Sequence, residues 1–146
     1  MTRLKGLSQG EQIVLIGGLL LIADLLFVPW HSADIPEGLE IAFDATRTGV
    51  QPPNPGYGVA AVVLTSVMIV QIVLATLLAV RLPAPGLPWE QVHLIAGIFV
   101  AVVLVIKLAR ETELLGFGAY SGVLAGVLVA YGGFRISQGE GGPAAE

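Results

Sequence analysis

Apolar positions along the chain fall into four long blocks, separated by short polar or proline-rich breaks. The blocks cover about residues 11–30, 57–82, 89–110 and 117–136. An apolar helix of about 18 residues rises ~27 Å, close to the hydrocarbon thickness of a bilayer. The pattern therefore predicts four membrane-spanning helices. Short links force neighbouring spans to run antiparallel. The expected fold class is an all-α membrane protein, a four-transmembrane-helix antiparallel bundle. One domain covers 1–136, and the small polar residues of 137–146 form a flexible cytoplasmic tail.

The breaks carry their own signals. Ser8 stands three residues before Glu11, the spacing of a capping box at a helix start. Pro29 and Trp30 close the first block, and Trp30 suits the headgroup boundary. Residues 31–56 make the one sizeable loop. Within it Leu39, Ile41 and Phe43 alternate with Glu40, Ala42 and Asp44, the pattern of a short half-buried strand. A second short strand through 46–50 is placed to pair with it as a hairpin. QPPNPG (51–56) then stops regular structure, because proline lacks a donor and fixes φ. The expectation is a small extracellular lid. Tyr57 and Arg81 mark the ends of the second span, which is long enough to tilt. PAPGLP (83–88) is a stiff turn, Glu90 favours the start of the third helix, and ETELLG (111–116) is a tight connection.

Composition agrees with the pattern. Hydrophobic residues make up 55% of the chain and charged residues 12%, against roughly 25% charged in a soluble domain. Eleven acidic against seven basic residues leave a net charge of −4, which excludes nucleic acid as a partner. The absence of cysteine excludes disulfides, thiolate metal sites and a cysteine nucleophile. Arg3 and Lys5 before the first block invite a signal-peptide reading. The apolar run is too long for that, and Pro29-Trp30-His31 is no small-residue cleavage site, so the span is expected to be retained. Arg3, Lys5, Arg81 and Arg135 lie on one side of the membrane; Arg47 and Arg110 lie on the other, with Lys107 just inside it. The bias places both termini in the cytoplasm and the 31–56 loop outside.

Four polar residues at membrane depth are the candidate site: Asp24, Lys107, Gln71 and His93. Asp24 lies ~16 Å along its helix, and an acid there costs ~2.5–3.5 kcal/mol to insert, so it must face other helices and find a partner. Lys107 lies ~22 Å along the third span from the same side, within reach of a lysine stem, and is the natural partner. The alternative is that Lys107 snorkels outward beside Arg110. Gln71 is expected to hold helices together, and Thr65, Ser66 and Thr76 to bond their own backbone. His93 is expected near the cytoplasmic end, one turn from Trp89 and Glu90. Gly118, Gly122, Gly126 and Ala130 recur every four residues, a stripe that lets helix backbones approach. It fits either a dimer contact or packing against the first or third span, with Tyr120 and Tyr131 as belt residues near its ends. His31 and His93 belong to opposite membrane faces, and no metal-ligand spacing occurs; no metal or cofactor is expected. The acidic loop residues Asp34, Glu37, Glu40 and Asp44 do not match a calcium loop. No nucleotide-binding or hydrolase motif is present.

DATRTGVQPPNPGYGVAA (44–61), PWEQVHLIAG (88–97), LGFGAYSGVLAG (115–126) and YGGF (131–134) give the chain a pattern that resembles a group of uncharacterised four-span integral membrane proteins of bacteria. The resemblance implies a bacterial plasma-membrane location and a four-helix bundle. It transfers no catalytic or binding residue. The functional expectation is a non-enzymatic structural or accessory subunit. It would act by contact, through the glycine face of span 4 or the outer loop, with the lipid bilayer and a second copy or another membrane protein as partners. The competing expectation is a proton or small-solute pathway that uses Asp24.

Overall fold

The computed structural model describes residues 6–32, 46–80, 82–83 and 85–139. The first helix, α1 (Gln9–Phe27), starts at the capping box. The Glu11 amide donates to Ser8 Oγ at 3.1 Å, and the Ser8 amide donates to Glu11 Oε2 at 2.7 Å. The helix stops three residues earlier than the apolar block. Val28 turns extended (φ −91°, ψ 135°) because the residue before a proline is driven out of the helical region.

The chain continues as a strand, β1 (Pro29–Ser32), antiparallel to β2 (Thr46–Thr48). The hairpin therefore pairs the segment after α1 with 46–48. The expected partner at 39–44, like the four loop acids, lies outside the described residues. The other edge of β1 is also used. The Ser32 amide donates to the Leu114 carbonyl at 2.9 Å, and the Gly116 amide donates to the Trp30 carbonyl at 2.7 Å. In β1 the Trp30 side chain points inward and is fully buried within the protein, so it does not present its ring outward as a belt residue would.

Helix α2 (Pro55–Ile72) begins with proline in its first turn, where no amide is needed, and runs into a π-helical turn at Val73–Leu77. Regular structure ends there, about one turn short of the predicted 82. Helix α3 (Trp89–Arg110) has the expected limits, and α4 (Phe117–Ser137) exceeds them by one residue.

Helix α4 packs on α1 and α3 through glycines. A Cβ on Gly132 would lie 2.9 Å from the Val14 amide nitrogen and 3.0 Å from the Gly10 carbonyl. A Cβ on Gly97 of α3 would lie 2.9 Å from the Ala130 Cα. Gly118 faces the Val28–Pro29 backbone, Gly122 faces Asp24 and Trp30, and Gly126 faces Leu104. The small-residue stripe is thus covered inside the chain and is not a free face for a second copy. The core contains Val14, Leu21, Leu25, Trp30, Met68, Ile72, Val100, Leu104 and Val129. Outward positions are also apolar, with Phe27, Phe117 and Leu124 more than 60% exposed. Such a surface is of the kind that lies against lipid or another protein. All four helices are long and apolar enough to cross a membrane.

Candidate functional site

The polar residues form three groups. The largest lies under the hairpin, where α3 ends. Lys107 is fully buried; its Nζ lies 2.9 Å from Glu111 Oε1 and 2.7 Å from Oε2, and donates to the Pro53 carbonyl at 3.1 Å. Its charge also sits 5.3 Å from the centre of the Trp30 ring. His31 Nε2 reaches Glu111 Oε2 at 3.3 Å. One buried ion pair therefore joins α3 to the hairpin and to the proline loop before α2.

This corrects the expected Asp24–Lys107 pair. Lys107 does not cross to α1 and does not snorkel. An acid four residues on, on the same helix face, satisfies it first. Glu111 is the residue directly after α3, in the ETELLG connection, and its i,i+4 spacing from Lys107 is the one signal by which the sequence shows this group.

Asp24 makes a different contact. It is 7% exposed and accepts from the Ser121 hydroxyl of α4. That hydroxyl has one proton and also faces the Phe117 carbonyl at 3.1 Å, so the two acceptors compete for it. Asp24 Oδ2 has no hydrogen-bond partner among the described residues. It fits because position 122 has no side chain: a Cβ there would lie 2.6 Å from Oδ2. Nothing in the sequence singled out Ser121.

The third group is at the opposite end. His93, 2% exposed, lies 2.7 Å from Gln71 Oε1 through Nε2. The two side chains share one hydrogen bond between α2 and α3. The helix continues from Gln71 into the π turn, where Thr76 donates to Glu11 Oε1 at 3.2 Å. Glu11 thus caps α1 and ties it to α2. The structure brings together Gln71 and His93 but neither Asp24 with Lys107 nor the two histidines.

His31 lies in β1, and burial pushes its pKa below the ordinary histidine range; Glu111 opposes that shift, while Lys107 and Arg47 add to it. Protonation is thus easier in the unfolded chain. The stability that His31 contributes is full above about pH 6.5, the usual histidine value, and is lost as pH falls through the folded value. Melting temperatures measured from pH 8 to pH 5 are expected to fall on the acid side, and His31→Gln is expected to flatten that fall. An equal fall in both proteins would contradict this assignment.

Compared with known protein families, with curated proteins and with solved structures, the chain matches none.

Proposed function

We propose that the chain is a non-enzymatic integral membrane protein, a structural or accessory subunit that works by contact at its hairpin end. It would sit in a bacterial plasma membrane as an antiparallel four-helix bundle with both termini inside, as the distribution of arginine and lysine and the pattern-level resemblance suggest. The observation that carries the reading is the use of the buried charge. Lys107 and Glu111 neutralise each other and fasten the chain's own loops, where a pathway would leave them facing water. The glycine stripe is covered inside the chain, which leaves the hairpin end for contact.

One observation favours the second reading, a proton or small-solute pathway: the unpartnered buried Oδ2 of Asp24. Proton flux into proteoliposomes under an imposed potential separates the two. The accessory reading predicts flux equal to protein-free vesicles, unchanged by Asp24→Asn. Flux above that background, abolished by Asp24→Asn, would replace it with the pathway.

A further inference from the structure

An apolar groove of about 380 Å³ runs along the outside of the molecule where α2 meets α3. Gly56, Tyr57 and Ala60 line one wall, and Phe99 and Val103 line the other. Arg110 belongs to the same face of α3 as Val103. Seven residues bring the helix back to nearly the same angle, ~10 Å further along its axis. The arginine side chain closes back on the groove, with its guanidinium carbon 5.9 Å from the centre of the Tyr57 ring. Arg110 is exposed, and among the described residues no carboxylate is paired with it. The groove is therefore lined by mainly apolar residues over about one helical turn of each wall, with Asn54 at its margin, and an exposed cation stands beside it where α3 leaves the apolar region.

We propose that this groove binds one anionic phospholipid of the surrounding bilayer, with its phosphate on Arg110 and an acyl chain along Ala60, Phe99 and Val103. The charge selects the occupant. A guanidinium fork matches phosphate oxygens with two parallel hydrogen bonds, and the bilayer supplies phosphate at the level where a spanning helix ends. A zwitterionic headgroup brings its own cation beside that phosphate, which an arginine with no paired carboxylate disfavours, whereas an anionic headgroup does not. Tyr57 contributes an aromatic face beside the headgroup position, where such rings are favoured. The inference does not depend on the accessory role.

The test is native mass spectrometry of the full chain, released from micelles holding equal amounts of phosphatidylglycerol and phosphatidylcholine with identical acyl chains. The expected result is one retained lipid, with the anionic form favoured several-fold. Arg110→Gln brings the ratio to parity, and Arg110→Lys, which keeps the charge but loses the fork, gives a preference between those of the wild type and Arg110→Gln. Arg47→Gln removes another exposed cation from the hairpin end and leaves the ratio unchanged. Ala60→Phe lowers retention of both lipids. The proposal is overturned by parity in the wild type or by an equal loss of preference in Arg47→Gln, which would mean bulk charge. It is also overturned by a lipid-free dimer that Ala60→Phe dissociates, which would mean the groove holds a second copy.

Discussion

Glu111→Ala is expected to lower the melting temperature of the purified protein more than removal of any exposed charge. Among the described residues, the substitution leaves the ammonium of Lys107, fully buried, with the Pro53 carbonyl and the face of Trp30. Uncompensated buried charges of this kind cost ~3–5 kcal/mol. The damage is expected to be local first. Amide exchange should rise at Ser32 and Gly116, whose hydrogen bonds hold β1 to the 114–116 segment. Removing both charges, with Lys107→Met and Glu111→Leu together, is expected to recover most of the loss, because a pair replaced by apolar side chains no longer carries its desolvation cost. The comparison is Glu113→Ala, an exposed acid two residues away. If Glu111→Ala melts like Glu113→Ala, the ion pair does not hold the hairpin end together.

Gly122→Leu is the other substitution with a large effect. Its first carbon alone would lie 2.6 Å from Asp24 Oδ2 and 2.9 Å from Trp30 Cζ3. Neither neighbour can withdraw easily: Asp24 is fixed to Ser121, and Trp30 is fully buried over Lys107. Overpacking costs ~1–3 kcal/mol, and a leucine asks for far more room than one carbon. Folded yield and melting temperature are expected to fall together. Gly122→Ala is expected to show a smaller change of the same sign. Gly56→Ala, where nothing lies within 4 Å of the added carbon, is expected to be near neutral. A Gly122→Leu protein that melts normally but loses a bound partner would return the stripe to the role of an outer contact face.

These two substitutions mark where the sequence stops being sufficient. The four spans were legible because apolar blocks of bilayer length admit few alternatives, and because local signals bounded them. The Ser8–Glu11 box starts α1, and Pro88 and Gly116 stand directly before α3 and α4. The apolar block runs past the end of α1 to Trp30, because an apolar residue in a strand resembles one in a helix; the effect of Pro29 on Val28 is the local mark of the true end. The apolar block of the second span likewise runs past the end of α2. The π turn and the left-handed Ala79 that follow Ile72 leave no mark in an apolar run.

The candidate polar residues were visible as types, since a charge at membrane depth stands out from its neighbours. Their partners were not visible. By itself the sequence determined four apolar helices, their order, the positions of Asp24, Lys107, Gln71 and His93 along them, and a glycine stripe able to pack closely. Only the tertiary structure decided that Lys107 pairs with Glu111, that Asp24 meets Ser121, that Gln71 meets His93, and that the stripe faces inward. Spacing along one helix fixes height and face, but the rotation of each helix about its own axis is set jointly by all its neighbours. Here the close approach at the glycines sets how α4 meets α1 and α3, and through it which side chain each polar group meets.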